Sequence, residues 1–138
     1  MAEIARVRFS FTVRGELAIP RIAACVRLNN VNELPMSRRG GCLALTCWIE
    51  EWDRRGLNPM VRAPLHMFQE VTVQGADFDG GVVHDVIFRE AFPLRDIRED
   101  RFGRSEVTAI VFMTDLTGRR RRPIDSRRTE PIRLPPLR

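Results

Sequence analysis

At 138 residues, 43% of them hydrophobic and 30% charged, the chain is long enough for one domain with a genuine core and too short for two. No apolar run is long enough to span a bilayer and no basic-then-apolar leader opens the sequence, so a membrane protein is not expected and a cytoplasmic location is. The net charge of +5 comes from arginine alone, since the 23 basic residues include no lysine; it is concentrated after Gly118, and the body before that point is close to neutral.

The first predicted element is a strand: Val7, Phe9, Phe11 and Val13 alternate with Arg8, Ser10, Thr12 and Arg14, and Gly15 ends it. From Pro20 to Asn30 two readings compete. Pro20 can open a short helix with Ile22, Cys25 and Val26 on one side, or Ile22 to Val26 can be a strand, and the helix is preferred. Asn29 to Arg39 reads as a loop. The spacing then predicts a helix over Gly40 to Leu57, because Leu45, Trp48, Ile49 and Trp52 fall at i, i+3, i+4 and i+7. Glu50 and Glu51 each precede an arginine by one turn (Arg54 and Arg55), and Gly56 and Pro59 supply a stop.

Downstream, a strand is expected within Met67 to Val73, a turn over Gly75 to Gly81, and a second strand over Val82 to Phe88. Arg95 to Arg104 reads as a charged loop. Val107 to Met113 is apolar on both faces, which predicts a central strand covered on each side. Beyond Gly118 no periodicity remains, only arginine interspersed with proline. The expected architecture is therefore α+β: a curved antiparallel sheet wrapped around one central helix in a domain of residues 1–118, followed by an extended Arg/Pro-rich arm over 119–138.

The segment Gly41-Cys42-Leu43-Ala44-Leu45-Thr46-Cys47-Trp48 resembles the start of the central helix in the hot-dog-fold 3-hydroxyacyl-carrier-protein dehydratases of fatty-acid synthesis. Asp85 to Leu94 and Glu106 to Val111 are similar to the two strands that follow it, also in polyketide-synthase dehydratase domains, and the likeness spans roughly residues 34 to 114. The resemblance implies a hot-dog fold and an acyl or polyketide thioester, carried by an acyl-carrier partner, in a cleft beside the helix. It also marks two departures. Thr46 stands where the family has its catalytic Asp, and Asn32 where it has its His, so β-elimination by that pair is not supported. Thioesterases of the same fold class place a Glu on the helix, which adds Glu50 or Glu51.

The candidate catalytic set is Asn32, Thr46, Glu50, His84 and Asp85, and whether the chain is an enzyme stays open. His84 and Asp85 are strand neighbours whose side chains are expected on opposite faces. Cys25, Cys42 and Cys47 lack metal-ligand spacing and read as reduced, mostly buried thiols; neither a metal nor a cofactor is expected. The alternative function is a non-enzymatic assembly or virion-type structural protein, a homo-oligomer, in which Arg119, Arg120, Arg121, Arg122, Arg127 and Arg128 touch neighbouring subunits or nucleic-acid phosphate.

Overall fold

The computed structural model describes residues 2–29, 42–52, 64–96, 106–116, 118 and 120–133. Ten strands fall in two sheets, and the described residues contain no helix of seven residues or more. The expectation of an α+β hot-dog with a central helix and a trailing arm is overturned: this is a β-sandwich.

In sheet A, β1 (Ala2–Arg14) pairs antiparallel with β2 (Leu17–Leu28) through the turn at Gly15, whose φ of 59° suits glycine. On the far side of β2 lie β6 (Val83–Arg89) and the short β7 (Phe92–Pro93). The segment expected as a helix from Pro20 is thus the central strand of this sheet. Its side chains alternate strictly, with Ala18, Pro20, Ile22, Ala24, Val26 and Leu28 buried and Arg21 and Arg27 exposed. Pro20 is tolerated because β6 pairs with residues 21–27 and β7 with 17–18, so its missing N–H falls in the gap between them.

In sheet B, β3 (Cys42–Trp52) is central. β8 (Glu106–Asp115) runs along one side of it, and β5 (Val71–Gln74) and β4 (Pro64–Met67) share the other. β8 is in turn flanked by β9 (Arg122–Arg128) and β10 (Ile132–Arg133). The expected helix at 40–57 is therefore a strand over the part that is described; Arg54, Arg55, Gly56, Leu57 and Pro59 lie outside the described residues. Leu43, Leu45, Cys47 and Ile49 point into the sandwich, while Ala44, Thr46, Trp48 and Glu50 line the opposite face. Helix preference differs among ordinary residues by no more than about 0.7 kcal/mol each. Burying one Leu or Ile side chain is worth about 1.5–3 kcal/mol, so the inward row decides the outcome.

The core joins that row and Val107, Ala109, Val111 and Met113 of β8 to Ile4, Ile22, Val26, Val86 and Phe88 of sheet A. The central position expected for Val107 to Met113 holds, and the turn after β5 is a single 3-10 turn, Gly75–Phe78, released by Asp79 and Gly80 at positive φ. Within residues 119–138, expected as an extended arm, Arg122–Arg128 and Ile132–Arg133 are strands of sheet B. They also fasten the two sheets at one edge. Asp125 accepts a hydrogen bond from the Ile4 backbone N–H at 2.8 Å, and Arg127 donates to the carbonyls of Ile4 and Ala5 at 3.2 and 2.6 Å. The ladder of β1 is irregular at this point, where Ile4 pairs with Val26 but Arg6 with Cys25, so the side chains of β9 satisfy backbone groups at a bulge.

Candidate functional site

Of the five residues expected to share a catalytic cleft, the four that are described, Thr46, Glu50, His84 and Asp85, do not meet. Thr46 and Glu50 share the outer face of sheet B, but four residues apart on one strand they are separated by about 13 Å. His84 pairs with Val26 on the inner face of sheet A and lies 5.7 Å, ring to ring, from Phe78. Asp85, opposite Cys25, points out of the other side of that sheet. Asn32 lies outside the described residues. Strand alternation thus separates the His84/Asp85 pair as the sequence predicts, and it also undoes the helical clustering of Thr46 with Glu50.

Glu50 nevertheless stands out. It is 2% exposed, and its carboxylate takes the Trp48 indole N–H at 2.6 Å and the Arg128 Nε–H at 3.1 Å, with Arg128 Nη2 at 3.5 Å. Trp48 stands two residues away on the same face, and Arg128 reaches over from β9, where it pairs with Ile110, itself opposite Trp48. Trp48 packs on Phe112 with ring centroids 4.5 Å apart. Thr108, directly across from Glu50, is fully buried, and among the described residues its hydroxyl has no hydrogen-bond partner. The cluster has the chemistry of a neutralised buried ion pair. Donors from Trp48 and Arg128 converge on its carboxylate and hold β9 to the sheet.

The arginines of β9 and the segment before it are likewise engaged in part. Arg121 pairs with Glu70 at 3.0 Å, Arg127 is bound to backbone carbonyls of β1 and Arg128 to Glu50; Arg120 and Arg122 are exposed, and Arg119 lies outside the described residues.

A second cationic array, unforeseen as a site, occupies the outer face of sheet A. Register places Glu3, Arg6, Arg8, Ser10, Thr12 and Arg14 of β1 on this face. Beside them lie Arg27, Cys25, Ala23, Arg21, Ile19 and Leu17 of β2, then Val83, Asp85, Ile87 and Arg89 of β6. Six arginines thus oppose two carboxylates. Glu3 is taken by Arg27 in an ion pair, and Asp85 stands directly across from Cys25. Arg6, Arg8, Arg14, Arg21 and Arg89 are all exposed and make no ion pair among the described residues. Arg21 and Arg89 are direct cross-strand partners, with Ser10 the next residue in the row. Like charges so placed, with β-carbons about 5 Å apart, destabilise a sheet. From Arg6 to Arg14 the array runs about 27 Å along the strands and about 10 Å across three lanes. The alternation of Arg8 and Arg14 with apolar residues was visible in the sequence; a strand reading of residues 21–27 would have set Arg21 and Arg27 beside them.

Neither Cys47 nor Cys25 has a thiol whose pKa is lowered towards the thiolate. Burial pushes the Cys47 thiol up to about 12 from an ordinary 9.0. Cys25 is also raised, first by burial and then by the charge and hydrogen bond of Asp85, against the opposing pull of Arg6 and Arg27. Because the folded thiol of Cys47 holds its proton more tightly than the unfolded one, it contributes stability fully below pH 9, and that contribution is lost as pH rises from 9 towards 12. Urea titrations over that range are expected to fall by about 1.4 kcal/mol per pH unit from this group, and Cys47→Val to remove that part of the slope. Maleimide labelling of Cys47 is expected only on unfolding.

Among the described residues no group of three or more His, Cys, Asp and Glu could hold a metal ion, and no helix is long and apolar enough to cross a membrane. No protein-family model matches the chain, and no curated protein does. Two solved structures resemble it. One is a crystal structure of a protein from Archaeoglobus fulgidus, 14% identical, with a TM-score of 0.50 over 97% of this chain and 99% of that one. The other is Spo0M, a sporulation control protein from Bacillus subtilis, 14% identical, with a TM-score of 0.42 over 96% of this chain and 48% of that one. The likeness to the archaeal protein runs end to end in both chains and is one of fold alone.

Proposed function

We propose that this chain is a non-enzymatic docking domain that holds nucleic acid by its phosphate backbone on the outer face of sheet A. The observation that carries this reading is the Arg21–Arg89 pair. Two exposed arginines are direct cross-strand neighbours, and among the described residues neither makes an ion pair, within an array of six arginines and two carboxylates. An anion between them turns a repulsive arrangement into a favourable one, and guanidinium groups fork well onto phosphate oxygens. Arg6 and Arg8 recur at the strand repeat of about 6.7 Å, which suits a polymer of regularly spaced charge better than one isolated anion. The face carries no aromatic side chain, so binding by base stacking is not expected and sequence preference is slight.

This reading keeps the phosphate contact expected for the C-terminal arginines but moves it to another surface. The acyl-thioester reading depended on a cleft beside a central helix, and with a strand in that position no observation favours it over docking.

The test compares the two arginine sets. Fluorescence anisotropy with a labelled mixed-sequence duplex is expected to give tight binding at low salt by the natural chain and by Arg120→Gln/Arg122→Gln. Arg6→Gln/Arg8→Gln is expected to weaken it at least tenfold. Equal losses from the two variants would return the contact to the C-terminal segment, and preference for a polyglutamate competitor over the duplex would make the partner an acidic protein.

A further inference from the structure

Strand β6 is an edge. Its inner side pairs with β2, and among the described residues no strand pairs with its outer side. The Leu28 N–H donates to the Val82 carbonyl at 2.7 Å, so along this unbroken ladder the even-numbered residues turn their backbone groups towards β2. The N–H and C=O groups of Val83, Asp85, Ile87 and Arg89 therefore point away from the sheet. Such a row is a template for another strand unless charge or a bulge guards it. Here the guard is partial: Asp85 and Arg89 carry charge, but Val83 and Ile87 are large hydrophobic side chains, 48% and 49% exposed.

The side chains of this edge specify which strand fits. On the outer face Asp85, Ile87 and Arg89 read acidic, apolar, basic. An antiparallel copy related by a twofold axis through Ile87 sets Ile87 against its own counterpart. The same operation brings Asp85 opposite the second copy's Arg89, and Arg89 opposite its Asp85. On the inner face Val86 then meets Phe88, both buried apolar residues of the core. A shift of two residues either way puts Ile87 against a charge and breaks both ion pairs, so one register is selected.

We infer that a second copy of this chain pairs antiparallel with β6 about a twofold axis at Ile87, joining two A sheets into one continuous sheet. The inference rests on the edge and its charge order, not on nucleic-acid binding. Because this dimerisation is reversible, Arg89 is free for phosphate in the dilute monomer that binding assays sample, while in the dimer it is shared with the second copy's Asp85 and two arginine faces lie side by side.

Sedimentation equilibrium without nucleic acid tests it. The natural chain is expected to dimerise reversibly. Asp85→Arg alone, which opposes arginine to arginine twice across the axis, is expected to raise the dissociation constant roughly tenfold or more. Arg89→Asp alone is expected to do the same, and the double exchange Asp85→Arg/Arg89→Asp to restore dimerisation. Within one chain these positions lie about 13 Å apart, too far to pair, so restoration reports contact between copies. Both residues are exposed, and circular dichroism checks that each variant is folded. A natural chain that stays monomeric into the millimolar range, single exchanges without effect, or a double exchange that fails to restore pairing would each overturn the inference.

Discussion

Arg128→Met is expected to destabilise the protein by about 3 kcal/mol, the lower end of the range of about 3–5 kcal/mol for breaking a buried ion pair. The loss is large because Glu50 is 2% exposed and Arg128 is its cationic partner; without it the carboxylate keeps only the Trp48 indole among its hydrogen-bond donors in the described residues. It falls at the lower end because the Arg128 side chain is 37% exposed, so water screens part of the attraction. For a domain of this size the shift corresponds to roughly 10 °C in Tm. Glu50→Met/Arg128→Met is expected to recover most of the loss, since removing both charges removes the desolvation cost with the attraction. Urea denaturation of the single and double variants measures this directly, and additive losses would argue against a coupled pair. Hydrogen exchange is expected to rise first in β9, which Arg128 holds against the sheet.

The second large effect concerns Arg21 and Arg89. Arg21→Ser/Arg89→Ser removes two phosphate contacts and a repulsive neighbour at once, so stability and binding should move in opposite directions. Thermal stability is expected to be maintained or raised, because the like-charge cross-strand pair is gone. Affinity for duplex is expected to fall by tenfold or more at low salt. A residue pair that merely decorates the surface would move neither quantity. Loss of both together would mean that these arginines hold the sheet rather than a ligand.

How far the sequence could be read depended on whether one face of each element was apolar or both. β1 alternates cleanly between Val7, Phe9, Phe11, Val13 and their polar neighbours, and the expected strand is present. β8 is apolar on both faces, and its expected central position holds because β3 and the pair β9/β10 cover its flanks. β3 has the same two-faced character, but there Leu45, Trp48 and Ile49 happened to satisfy a helical stripe. Both periods fit a run of that kind, and only the partner strands, distant in sequence, decide between them. β2 was misread for a related reason, since Pro20 is a good first residue of a helix and the gap between β6 and β7 that accommodates it is a tertiary fact. β9 was invisible because its apolar content is nearly nil; it is held by Asp125, Arg127 and Arg128 rather than by a hydrophobic row.

The candidate site followed the same logic. A helix over 40–57 puts Thr46 and Glu50 on one cylinder, and a helix from Pro20 separates Arg21 and Arg27 from the arginines of β1. With the strands in place Arg6, Arg8, Arg14, Arg21 and Arg89 share one face, and Glu50 is paired with Arg128.

The central claim, that the outer face of sheet A binds nucleic acid through its unpaired arginines, is tested most directly by the salt dependence of duplex affinity for the natural chain and for Arg21→Ser/Arg89→Ser. With five phosphate contacts the slope of log K against log salt is expected near −4.5, a loss of about 500-fold between roughly 50 and 200 mM salt. With three contacts the variant is expected near −2.7, a loss of about 40-fold over the same interval. Equal slopes for the two proteins, or no measurable binding by the natural chain at about 50 mM salt, would contradict the claim.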